Sequence, residues 1–100
     1  MTFIEYIDDI YGIRVLKESR EAELVNIRFI IMHIFRCSEM KVCLIAEIFG
    51  MHHSSIIHGI QTCMDRLECE ESFRNLYDEI FDAYVDCMKF RRSIKNYKDL

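Results

Sequence analysis

Five consecutive residues, Met51-His52-His53-Ser54-Ser55, set two imidazoles and two hydroxyls directly after Gly50. Glycine is the residue that most readily ends a helix. The apolar positions that follow, Ile56, Ile57, Ile60, Met64 and Leu67, recur at helical spacing. The five residues therefore fall on the first turn of a new helix. Small hydroxyl side chains there permit close approach, and the unsatisfied N–H groups of a helix start favour phosphate. Imidazole nitrogens can meet the donors and acceptors of base edges. At 100° per residue the apolar positions share one arc of roughly 100°, leaving Ser55, His58 and Thr62 on the opposite side for a partner. The chemistry indicated is contact with nucleic acid.

Other chemistry has less support. His52, His53 and His58, with His33, could be metal ligands, but two ligands on one helix face need i, i+4 spacing and His53 and His58 are five apart. No C-x-x-C occurs, since Cys37/Cys43 and Cys63/Cys69 each enclose five residues. The five Cys, with no basic segment at the start to mark a secretory signal, read as reduced thiols of a cytoplasmic protein, buried or partly buried as small hydrophobes. No nucleophile motif and no phosphate loop of the form G-x-x-x-x-G-K-S/T is present, so no enzyme activity, metal or cofactor is expected. Each singled-out residue also has a plain alternative. Ser54 and Ser55 can simply cap their helix. His58 can fill a helix junction, and the arginines can be solvated charges.

The elements needed to position this turn are all helical. Thr2 can cap a first helix that packs Phe3, Ile7, Ile10 and Tyr11 and stops at Gly12. Ile13 to Glu18 connect to a second, capped by Ser19, with Leu24, Ile27, Ile30, Ile31, Ile34 and Phe35 inward and an end near Cys37. Ser38 can cap a short third helix that buries Val42, Ile45 and Phe49 and closes at Gly50. The fourth runs from near His53 to about Leu67. Ser72 can cap a fifth that carries Phe73, Leu76, Tyr77, Ile80, Phe81, Tyr84 and Met88. A short helix, a tight Gly turn and a longer helix are the parts of a helix-turn-helix. The fold class expected is all-α, one compact bundle of about five helices containing that motif.

Composition bounds the same answer. One hundred residues, 51% apolar and 30% charged, make one domain. The absence of Pro, with only 3 Gly, excludes a turn-rich all-β fold. No apolar run approaches the ~18 residues of a membrane span. The formal net charge of −4 weighs against a generic polyanion binder. Charge is nonetheless unevenly spread: acids dominate Asp65 to Asp86, whereas Lys89, Arg91, Arg92, Lys95 and Lys98 form a basic tail without an acid.

The stretch Ile45-Ala46-Glu47-Ile48-Phe49-Gly50-Met51-His52-His53-Ser54-Ser55-Ile56-Ile57-His58 resembles the signature of the C-terminal domain of DnaA, the bacterial chromosomal replication initiator, roughly I-G-x-x-F-G-R-D-H-S/T-T-V-I/L-H. Upstream, Ser19-Arg20-Glu21-Ala22-Glu23-Leu24-Val25-Asn26-Ile27-Arg28 is similar to the family's S-R-K/R-R-E-I/L-V-x-A-R, and Ile10-Tyr11-Gly12-Ile13-Arg14-Val15 to its Y-F/Y-x-I/V-x-V/L stretch. Three blocks in the family's order span about residues 7 to 80, with a C-terminal helix end and basic tail, about 81 to 100, beyond them. The resemblance implies a duplex-binding helix-turn-helix domain. Arg20 would then enter the minor groove, Arg28, Arg36 and Lys41 would hold phosphates, and Val42 would touch a thymine methyl. His52, His53, Ser54, Ser55, His58 and Thr62 would face bases or phosphate from the recognition helix.

The departures carry information too. Met51 stands where the family has Arg, His52 where it has Asp, and Glu21 and Ala22 replace basic residues, with Glu18 adding an acid. Gln61 and Thr62 stand where bases are common. The electrostatic share of duplex affinity is correspondingly smaller. The partner expected is double-stranded DNA, together with a replication or regulatory protein. The alternative is a protein-interaction or dimerisation module that kept this fold and lost DNA.

Overall fold

In a computed structural model the protein is described over residues 2–17 and 19–98, with side chains as far as Lys89. The described residues are all-helical and contain no strand: α1 (Phe3–Tyr11), α2 (Ala22–Cys37), α3 (Val42–Phe49), α4 (His53–Cys69) and α5 (Glu71–Lys98). Glu18 and the side chains of Arg91, Arg92, Lys95 and Lys98 lie outside this description.

α2 is the central element, packing on α3, α4 and α5, while α1 packs on α5. Its Ile27, Ile30, Ile31 and Met32 are fully removed from solvent, and Ile34 nearly so. Buried side chains thus reach well round the helix, as a core helix requires. Each such Ile contributes about 1.5–3 kcal/mol through burial.

Helix boundaries follow local chemistry, with several corrections to sequence expectation. Thr2 does cap α1 reciprocally: Glu5 donates its N–H to Thr2 Oγ1 at 3.2 Å, and Thr2 donates its own to Glu5 Oε2 at 3.1 Å. Gly12 closes the helix at φ 63°. Ser19 does not cap α2. Glu21 takes that position without a side-chain bond, and Ser19 instead accepts the Glu21 N–H. Ser38 does not cap α3, which starts after Lys41. Its hydroxyl donates back to the Ile34 carbonyl and meets Tyr84 Oη at 2.8 Å, closing α2 and tying it to α5. The start of α3 moves three residues on, from Ser38 to Lys41, and in between Glu39 takes a left-handed φ of 68°, the conformation usually left to glycine. Ser72 lies inside α5, whose first residue is Glu71.

The buried face of α4 also differs. Ile56, Gly59 and Cys63 are its buried residues, whereas Ile57 and Met64 are 57% and 47% exposed. The helix is rolled by roughly 80° from the apolar arc of the sequence. The cause is Gly59. A Cβ there would lie 2.9 Å from both Met32 Sδ and Phe29 Cδ1 of α2, so only a bare backbone lets the two helices approach this closely. Ile10, Phe81 and Met88, expected on packing faces, are likewise exposed, and so are Cys37, Cys43 and Cys69; only Cys63 and Cys87 are buried. No helix among the described residues is long and apolar enough to cross a membrane.

One polar contact joins α2 to α5 beside this core: His33 Nδ1 lies 2.8 Å from Tyr77 Oη. Burial pushes the His33 pKa below its ordinary 6.5, and burial foremost pushes the Tyr77 phenol up to about 12. Stability linked to a depressed His pKa is complete above the unfolded value of about 6.5 and is lost as pH falls below it. Urea denaturation from neutral pH to about pH 5 should therefore show a steeper loss for the natural chain than for His33→Gln; equal slopes would contradict this. Gly59→Val should cost about 1–3 kcal/mol in the same measurement at neutral pH, because Met32 and Phe29 must yield to the added carbons.

Candidate nucleic-acid interface

The link from α3 to α4 is three residues long. Gly50 sits at φ 62°, ψ 37°. Its N–H donates to the Glu47 carbonyl at 3.3 Å, and Met51 N–H donates to the Ala46 carbonyl at 3.0 Å. This paired closure satisfies the last carbonyls of α3 and turns the chain sharply. His52 then caps α4: its Nδ1 accepts the Ser54 N–H at 3.2 Å and lies 2.9 Å from Ser54 Oγ. The cap is thus an imidazole, not Ser54 or Ser55, both of which lie inside the helix. His52, His53 and Ser54 are exposed and Ser55 half-buried.

The second wall of the site is the linker after α1. Val15 holds it in place with all three of its groups. Its side chain is fully buried, its N–H donates to Asp8 Oδ1 at 2.8 Å, and its carbonyl accepts from Arg28 Nε at 2.7 Å. Arg28 Nη1 donates to the Ser19 carbonyl at 2.9 Å. Arg28 therefore spends two of its donors on positioning the segment that carries Arg20. Its Nη2 is the one buried side-chain nitrogen or oxygen among the described residues without a hydrogen-bond partner.

Together these elements form a cleft of about 590 Å³ lined by Leu16, Lys17, Ser19, Arg20, Arg28, Phe49, Gly50 and Met51. Among the described residues its lining contains three cations and no acid, which sets it apart in a chain of net charge −4. Lys17 is the member that sequence reading passed over. The signal available was a basic residue at every third position, Arg14, Lys17 and Arg20. A shallower groove on the other side of the turn joins His52, His53 and Met51 to Cys43, Ala46 and Glu47, so an acid lies near the imidazoles.

The remaining expected residues are less closely gathered. Arg36 is exposed in the last turn of α2. Lys41 is exposed immediately before α3, and Val42 is half-buried against the core. His58 is exposed, its ring edge-on to Phe29 with centroids 6.5 Å apart, while Thr62 is half-buried. Arg66 is committed elsewhere, pairing with Glu70 and Asn26 and lying 4.3 Å over the Phe73 ring. The described residues hold no cluster of three metal-ligating side chains. Comparison with family models, with curated proteins and with solved structures gives no match.

The clamp geometry makes a specific expectation. Arg28→Ala should lower stability by about 2 kcal/mol in urea denaturation through loss of the two carbonyl contacts. Arg28→Lys should lose nearly as much, since an ammonium cannot reproduce the planar fork. Full stability in Arg28→Lys would mean that charge alone matters there.

Proposed function

We propose that this chain binds double-stranded DNA, with α3, the Gly50 turn and α4 working as a helix-turn-helix in the manner of the C-terminal domain of the DnaA replication initiator. The observation that carries the reading is the shared cleft, which sets exposed Arg20 and two further cations beside the turn that opens α4. A phosphate backbone is a ligand of matching charge and repeat for such a site.

In this reading the first turn of α4 enters the major groove. His53 and Ser54 present donors and acceptors to base edges and phosphate, with Ser55, His58 and Thr62 along the adjoining flank. Arg20 enters the neighbouring minor groove, where a narrow groove concentrates negative potential. Arg28 supports it from below by holding the Val15 and Ser19 carbonyls of the segment that carries Arg20. Arg36 and Lys41 add phosphate contacts, and the Lys89–Lys98 segment adds charge without specificity. His52 caps α4 and so holds Ser54 in register. Enzymatic turnover and a cofactor play no part, and the working compartment is the cytoplasm, on the nucleoid or another duplex.

Few cations are committed to the ligand, so both the affinity and its salt dependence are modest. Fluorescence anisotropy with a random duplex and an initiator-type box, from ~50 to ~200 mM salt, should give a slope of about −3 in log K against log salt if three or four phosphates are neutralised. Arg20→Ala should reduce that slope by about 0.9. Ser54→Glu combined with Arg20→Ala should weaken binding at the low-salt end by about tenfold or more. A folded sample that binds neither duplex at low salt would overturn the proposal. A nuclease-resistant stoichiometric complex with a protein would then favour the interaction-module reading.

A further inference from the structure

Because α4 rests on Gly59 and Cys63, its exposed surface divides into two unlike flanks. One is polar, with Ser54, His58 and Asp65, and belongs to the DNA reading. The other carries Ile57 and Met64, 57% and 47% exposed, seven residues apart and therefore in line along the helix. Ile60 borders them half-buried, and His53 and Glu68 stand at the two ends of the same flank, both exposed. Neither Ile57 nor Met64 contributes to the buried core. This apolar flank contains no Lys or Arg, so a phosphate backbone is a poor match for it.

We infer that this flank is a self-association surface, in which α4 packs antiparallel against α4 of a second copy about a two-fold axis between Ile60 and Gln61. The pattern is its own complement in that orientation. Ile57 faces Met64 of the second copy, Met64 faces its Ile57, and His53 at one end meets its Glu68 at the other. A two-fold interface requires this kind of self-complementary patch. The parallel arrangement would set Glu68 against Glu68, and like charges directly opposed are destabilising. Antiparallel pairing also brings the positive end of each helix dipole beside the acidic end of its neighbour, where Glu68, Glu70 and Glu71 cluster. The patch is small, so the dimer is a weak one, at the low end of specific interfaces. The inference does not rest on DNA binding, because of its residues only His53 is shared with that reading and the association is measured without DNA.

Sedimentation equilibrium of the full chain without DNA tests it. The apparent mass should rise from the monomer value of 12.1 kDa towards twice that as concentration increases through roughly 10–500 µM. Ile57→Glu and Met64→Glu, each at an exposed position, should hold the protein monomeric while its helical circular dichroism is unchanged. His53→Glu should weaken association about tenfold by opposing two carboxylates, and His53→Glu with Glu68→Lys should restore it through the exchanged pair. Constant monomer mass over the whole range would overturn the inference. So would a dimer insensitive to Ile57→Glu and Met64→Glu, or a double variant no stronger than His53→Glu alone.

Discussion

The close approach of α4 to α2 at Gly59 is the constraint on which the rest of this molecule depends. Without a Cβ, the α4 backbone comes within reach of Met32 and Phe29. The helix then buries small residues where its large ones would otherwise have gone. That choice of face fixes everything displayed on the other sides. Ser54 and His58 are turned outward on one flank, Ile57 and Met64 on the other, and Arg66 is brought to Asn26 of α2. A larger side chain at residue 59 would press on Met32 and Phe29, which would have to give way for α4 to keep this position.

A second constraint works through Arg28, one turn before Met32 on α2. The described residues between α1 and α2 form no helix or strand of their own, yet they are held at Val15 by Asp8 from one helix and Arg28 from the next. Their ordering is therefore enforced by tertiary contact, not by local propensity. The result is that Arg20 and Lys17 stand beside the Gly50 turn, though about thirty residues of chain lie between them. A cation-lined cleft arises in an acidic protein because two separate loops are pinned to the same helix.

Much of the architecture was legible in the residues. Thr2, Gly12 and Gly50 marked helix ends through chemistry confined to a few neighbouring positions, and those ends stand. The long apolar repeat of α2 could only be a core helix. Where reading failed, the cause was non-local or unusual. Ser38 looked like a start, but it closes α2, and Glu39 in a glycine-like conformation carries the chain on so that α3 starts only after Lys41. His52 rather than a serine caps α4. The apolar arc of α4 misled because periodicity records which residues are apolar, not how closely a glycine will let the helix sit. The site was partly visible: Arg20 shares a cleft with Gly50 and Met51 of the turn that leads into α4, while the positioning role of Arg28 depends on carbonyls at Val15 and Ser19 that no side-chain pattern encodes.

The most direct test of the central claim is a residue-resolved map of duplex contact. Amide chemical shifts of the isotopically labelled chain would be followed during titration with a short duplex at low salt. Movements should concentrate at Lys17 to Arg20 and at Gly50 to Ser55, with smaller ones at His58, while α1 and the α5 amides facing it stay fixed. Shifts confined to α5, or no shifts at all in a folded sample, would contradict the assignment of this cleft and helix start as the nucleic-acid surface.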